Sequence, residues 1–186
     1  MNETDELIYN RYITVHNEDD FRLLLERHRE SLTLFLMGYV HNPEDAEELM
    51  LDAYAVAAAG KGFSGRSSFK TWLFAVGKKL AISHLRKKHF FFISSDEQPE
   101  QEAISTEAPE MDLLTKERNQ QIYDAINSLN NEYRQILILL YFEEMTHDEV
   151  SRVMKKNRKQ IYNLAERSKK ALKAELERRG FENAQY

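Results

Sequence analysis

No cysteine occurs anywhere in the 186 residues, so disulfides, thiolate zinc sites and cysteine nucleophiles are all excluded. That absence fits a reducing cytoplasm. The stretch MNETDELIYN has no basic segment followed by an apolar run, and no signal peptide is expected. The longest apolar stretches are too short to cross a bilayer, which predicts no stable membrane insertion. Nor is there a P-loop: GKGFSG lacks both the spacing and the closing Lys-Ser/Thr. One further gap concerns charge. From Ile93 to Asp112 the chain carries Asp96, Glu97, Glu100, Glu102, Glu107, Glu110 and Asp112 but no Lys or Arg.

What is present suits a helix-rich protein, with 42% hydrophobic and 31% charged residues. The length allows one large domain or two small ones. The net charge of −5 would disfavour nucleic acid if it were evenly spread. It is not: from Lys155 to Arg179 basic residues outnumber acidic ones, so the charge lies in blocks. The acidic stretch also holds Pro99, Pro109 and several Ser, Thr and Gln, and it reads as a linker over 93–112. The expected organisation is all-α: an N-terminal tail over 1–17, a helical domain over 18–92, the linker, and a second helical domain over 113–186.

Three main helices are predicted before the linker. Asn17 is the N-cap of the first, whose positions Phe21, Leu24, Leu25, His28, Leu32, Phe35, Leu36 and Tyr39 recur at helical spacing. His28 falls inside that stripe and is read as a packed or rim histidine. Asn42 caps the second, with Pro43 at its first position and Glu44 and Asp45 near the positive dipole end. After the loop GKGFSGRSS, the third begins near Ser67 and is expected to bury Phe69, Trp72, Leu73, Val76 and Leu80.

The second domain is predicted to hold helices over Leu113–Leu129 and Glu132–Phe142. A capping box then opens at Thr146-His-Asp-Glu149, and Asn157 with Gln160 repeats the start signal for a longer helix. Two helices joined by the short Lys155-Lys156-Asn157 turn have the dimensions of a helix-turn-helix. The first is expected to bury Val150, Val153 and Met154, and the second Ile161, Leu164 and Leu172.

A recognition helix presents polar and basic groups to a major groove while its other face holds the core. Here the outward positions are Arg158, Lys159, Gln160, Tyr162, Asn163 and Arg167. A solvated face is the plain alternative, and the helix-turn-helix spacing favours DNA. A second basic run, Lys78, Lys79, Arg86, Lys87 and Lys88, follows a loop containing Phe63, Arg66, Ser67 and Ser68. Cations that track phosphates beside groups that hold unstacked bases suit single-stranded DNA. Composition alone leaves that reading and a purely structural one both open. His147-Asp148 is similar to the His-Asp pair of some metallophosphohydrolases, but Thr146 and Glu149 already explain it as a helix start, and no metal or other cofactor is expected. The cluster Glu44, Asp45, Glu47, Glu48 and Asp52 diverges around its helix axis, which favours a solvated or partner-binding face over a metal site.

The stretches Pro43-EDAEELMLDAY-Ala55 and Phe63-SGRSSFKTWLFAVGKKLAISHLRKK resemble the polymerase-binding, −10-recognising domain of extracytoplasmic-function sigma factors. Leu129-NNEYRQILILLYFEEMTHDEVSRVMKKNRKQIYNLAERSKKAL resembles their −35-reading domain. The resemblance implies a non-enzymatic initiation factor, monomeric when free, whose partners are RNA polymerase core, promoter DNA and an anti-sigma factor. It places Asp45, Glu48, Leu49 and Asp52 on the polymerase clamp helices, and Leu139, Leu140 and Phe142 on the flap. Phe63, Arg66, Ser67 and Ser68 would receive a flipped −10 base, with Lys78, Lys79, Arg86 and Lys87 on the adjoining backbone. Arg158, Lys159, Gln160, Tyr162, Asn163 and Arg167 would read the −35 groove, and the acidic linker would thread polymerase channels. The chain departs from the family where Leu51 replaces a frequent Gln, Lys79 a frequent Asn, and the Lys155-Lys156 turn a common glycine. A stand-alone helix-turn-helix regulator, commonly a dimer, is the rival reading.

Overall fold

The computed structural model describes residues 3–94 and 122–180, and every regular element among them is helical. The first unit comprises α1 (Asp5–Val15), α2 (Glu18–Val40), α3 (Pro43–Ala58) and α4 (Phe69–Ser94). The second comprises α5 (residues 122–128), α6 (Asn131–Leu137), one π-helical turn (Ile138–Phe142), α7 (His147–Met154) and α8 (Arg158–Arg178). Apart from 93 and 94, which continue α4, the acidic stretch expected as a linker lies outside the described residues. So does residues 113–121 of the helix expected from Leu113.

Caps set the helix starts of the first unit. Asn17 accepts the Asp19 N–H at 3.1 Å, and Asn42 accepts the Asp45 N–H at 2.9 Å with Pro43 in the first turn. Leu24, Leu32, Phe35 and Leu36 form the buried stripe of α2, facing an alanine-rich side of α3 (Ala46, Ala53, Ala57). Small side chains there let the helices approach closely. Gly77 does the same for α4: a Cβ at that position would lie 3.1 Å from Leu32 Cδ1. The face of α4 is rotated slightly from expectation. Phe69 and Leu73 are buried with Phe74 and Ala81, whereas Trp72, Val76 and Leu80 are only half-buried.

The expected tail over 1–17 contains α1, which packs into the unit through Ile8 and Tyr9. Two ion-pair groups hold it to α2. Arg11 Nε donates to Asp20 at 2.7 Å, and Asp5 meets Arg27 at 2.6 Å and His28 Nε2 at 2.8 Å. His28 is therefore a packed histidine with a carboxylate partner. Burial by itself raises the Asp5 carboxyl, but the hydrogen bonds with His28 and Arg27 outweigh it and hold the group below its ordinary value.

In the second unit Ala125 and Ile126 of α5, Leu137 of α6, and Leu172 and Leu176 of α8 form one apolar cluster, flanked by Ile122 and Leu129. Val150, Val153, Met154, Ile161 and Leu164 are buried as their spacing predicts. Both expected capping boxes form. Thr146 N–H donates to Glu149 Oε2 at 2.9 Å, and Asn157 and Gln160 exchange reciprocal bonds at 2.9 Å. Between α7 and α8, Lys155 has φ +54°, in the left-handed region that a Cβ disfavours. Lys155→Gly is expected to stabilise the second unit by about 0.5–1 kcal/mol, the relief of that strain less glycine's greater chain entropy. Urea denaturation checks this, and a destabilised variant would contradict it.

Candidate nucleic-acid interface

The loop between α3 and α4 turns through three glycines with positive φ, Gly60 (+67°), Gly62 (+97°) and Gly65 (+70°). Only glycine takes such angles without cost, so the loop's path depends on them. Within it Arg66 is exposed, while Ser67 and Ser68 are half-buried. Ser68 Oγ lies 2.7 Å from Thr71 Oγ1 and caps the first turn of α4. Phe63 is half-buried: its ring stands edge-on to Tyr9 at 5.3 Å and packs against Phe69 and Trp72 at 5.8 and 5.5 Å. A base could therefore meet only the outer part of this ring. Beyond the loop, Lys79, Arg86 and Lys87 are exposed along α4 and Lys78 is half-buried.

The exposed residues of α3 include Glu48, Leu51 and Asp52. Leu49 is 4% exposed and belongs to the core, so it cannot itself meet a partner. Leu51, 55% exposed, is the apolar group on that face. Asp45 is also not free. Its carboxylate lies 3.4 Å from both Lys88 Nζ and His84 Nε2 of α4, the latter a close approach without hydrogen-bond alignment. Lys88 is correspondingly drawn away from a backbone role.

In the second unit Leu139 is fully buried, whereas Leu140 is half-buried and Tyr141 and Phe142 are exposed. Leu139 thus supports this surface from inside. Tyr141, which sequence reasoning did not single out, stands beside Lys169 with the ammonium 5.8 Å from its ring centre. Phe142 packs on Tyr123 at 5.3 Å.

The six positions on α8 are all exposed, on the side opposite Ile161 and Leu164. They are not equally available. Gln160 Oε1 accepts the Asn157 N–H, so its amide cannot offer both an acceptor and a donor to adenine without opening the cap. Tyr162 stacks on His147 at 4.2 Å, and Arg158 lies 3.5 Å from Asp148 and 5.8 Å from the Tyr162 ring centre. These contacts account for the His147-Asp148 pair as a support for α8. Arg167 donates from Nε to Asn163 O at 3.3 Å, a bond that does not use its two terminal nitrogens. Among the described residues, the Asn163 amide and the Lys159 ammonium make no hydrogen bond. Glu132 of α6, paired with Lys156 at 2.9 Å, lines a shallow cleft with Asn163 and Arg167.

Residues 24–90 match the family model for sigma-70 region 2, and residues 119–172 match that for sigma-70 region 4. The chain is 24% identical over 165 residues to the ECF RNA polymerase sigma factor SigX of Bacillus subtilis, covering 86% of this chain and 85% of SigX. It is 25% identical over 143 residues to the RNA polymerase sigma-H factor of Pseudomonas aeruginosa, covering 72% and 74%. Its fold is similar to that of the sigma factor RpoE from Bartonella quintana, solved with the anti-sigma factor NepR. That likeness has a TM-score of 0.61 at 23% identity and covers 85% of this chain and 97% of the other. CnrH, solved with the cytosolic domain of CnrY, gives a TM-score of 0.59 at 16% identity, covering 94% and 98%.

Proposed function

Because this chain belongs to the sigma-70 family, in its extracytoplasmic-function group, we propose that the exposed faces of its two units divide between them the contacts of promoter-directed initiation. The chain directs RNA polymerase to promoters, with region 2 recognising the −10 element and region 4 the −35 element. Glu48, Leu51 and Asp52 dock on the polymerase clamp, two carboxylates flanking an apolar group on a pre-formed helix. The loop from Phe63 to Ser68 receives an unstacked −10 base, and Lys78, Lys79, Arg86 and Lys87 hold the neighbouring phosphates. Leu140, Tyr141 and Phe142 meet the polymerase flap. Asn163 and Arg167 read the −35 groove and Lys159 holds a neighbouring phosphate, with Arg158 and Tyr162 set around them. The chain has no catalytic step of its own and works in the cytoplasm, as a monomer when free. The acidic 93–112 stretch threads polymerase channels, where its charge imitates nucleic acid. An anti-sigma partner holds the free protein inactive.

The observation that carries this reading is the exposed Asn163–Arg167 pair on a helix fixed at its start by a full capping box, over a buried Ile161–Leu164 face. Such a helix is rigid before DNA arrives, so little ordering cost remains on binding. The purified chain is expected to retain core polymerase in a pull-down and to drive start-site-specific run-off transcription. Glu48→Ala/Asp52→Ala is expected to weaken both together by roughly tenfold or more. Asp45 is a poorer probe, because its loss also disturbs α3–α4 pairing. Tight duplex binding without polymerase retention would instead make the chain a stand-alone regulator.

A further inference from the structure

Helix α1 touches the α3–α4 loop at its beginning, its middle and its end. In the last turn of α3, Tyr9 Oη donates to Ala57 O at 3.0 Å, and at the loop's beginning Ile13 Cδ1 stands 3.2 Å from where a Gly60 Cβ would be. In the middle, the Tyr9 ring receives the edge of Phe63 at 5.3 Å. At the end, Glu6 Oε1 accepts the Phe69 N–H at 2.7 Å and so occupies an otherwise open donor at the start of α4. Helix α1 is also tied to α2 through Asp5–Arg27, Asp5–His28 and Arg11–Asp20. It is therefore a strut between the body of the unit and this loop.

A loop with three positive-φ glycines has unusually wide backbone freedom. Held at three points it keeps one shape; released, it would have to be ordered by each incoming base, and that ordering reduces affinity. We propose that Glu6 and Tyr9 are positioning residues for −10 recognition, setting the loop from Gly60 to Ser68 in its base-receiving form. This rests on the assignment of that loop to the −10 strand. The contacts made by Glu6 and by the Tyr9 hydroxyl go to backbone atoms of the two helix ends that flank the loop, where they fix its anchors. General core packing does not require them.

The test uses the full-length chain with core polymerase and a promoter library randomised separately at −10 and −35. Glu6→Ala and Tyr9→Leu are expected to lower transcription roughly tenfold and to flatten base preference at −10, leaving −35 preference unchanged. Glu6→Gln, whose amide oxygen still accepts the Phe69 N–H, is expected to restore the pattern. Fluorescence of Trp72, the single tryptophan, reports whether the first unit is folded at the assay temperature. Should Tyr9→Leu fail to fold, the Glu6→Ala and Glu6→Gln pair decides the matter. A uniform loss at all promoters with −10 preferences intact would reduce α1 to a stabilising role and overturn the proposal. Phe63→Ala and Ser67→Ala separate the two levels. If they shift −10 preference while the α1 variants do not, only the role of α1 falls. If they too leave it unchanged, the loop assignment fails and the proposal with it.

Discussion

Replacing Asn163 and Arg167 together with alanine is expected to abolish selection at the −35 element while leaving polymerase retention unchanged. An asparagine amide that bonds nothing else can offer adenine a donor and an acceptor at once, and a guanidinium can do the complementary work at guanine. Each such pairing is worth about 1–3 kcal/mol of discrimination, so the two together amount to roughly a hundredfold or more in relative promoter use. Three neighbours should behave differently. Lys159→Ala is expected to weaken binding evenly across sequences and to lower the salt slope by about one unit, as loss of a phosphate contact does. Gln160→Ala opens the capping box and shows mainly as about 1 kcal/mol of lost stability. Tyr162→Ala removes the stack on His147 and loosens the seat of α8. Transcription from libraries randomised at −35, read beside urea denaturation, separates these outcomes. Unchanged base preference in the Asn163→Ala/Arg167→Ala chain would remove this part of α8 as the reading surface.

Arg134→Leu is expected to cost the second unit about 3 kcal/mol, a large share of the stability a small domain holds. Arg134 is 7% exposed, and among the described residues no carboxylate pairs with it. Its Nη2 instead donates to the carbonyl of Asn127 and, at 3.5 Å, to that of Leu129, near the C-terminal end of α5. Those carbonyls have no partner within the helix and carry the negative end of its dipole, so a cation there stabilises them. Burial pushes the guanidinium below its ordinary value, but so strong a base remains charged. Leucine fills part of the space yet leaves part-buried carbonyls short of a donor, which is costly. Arg134→Lys keeps the charge but has a shorter reach to the two carbonyls that Nη2 meets, and should fall between the two. Urea unfolding followed by far-ultraviolet circular dichroism gives the comparison. A loss under about 0.5 kcal/mol for Arg134→Leu would mean that water or backbone rearrangement satisfies the α5 terminus instead.

Several features were legible in the chain before any tertiary contact was known. Asn17, Asn42-Pro43, Thr146…Glu149 and Asn157…Gln160 mark helix starts that the fold reproduces, because capping bonds join groups no more than three residues apart. The buried stripes of α2, α7 and α8 followed from spacing for a similar reason: 3.6 residues per turn puts fixed positions on one face. The charge blocks and the two family-like segments pointed to DNA and polymerase. By contrast α1 went unrecognised, although Asp5 and Glu6 in its first turn and Ile8, Tyr9 and Tyr12 beyond them have helical spacing. Eleven residues make a marginal helix alone, and its stability here comes from docking.

The amino-acid order alone thus determined where most helices begin, which of their faces are apolar, and which segments carry the basic charge. Those properties depend on neighbours within a turn or two. Tertiary structure alone decided which of those side chains remain available for work. Leu49 is buried and Leu51 exposed on the same helix, Asp45 is engaged by α4, Gln160 is held in a cap while Asn163 is not, and Glu6 reaches across 63 residues to the Phe69 N–H. Such outcomes depend on how helices far apart in the chain pack together, and no local spacing encodes them.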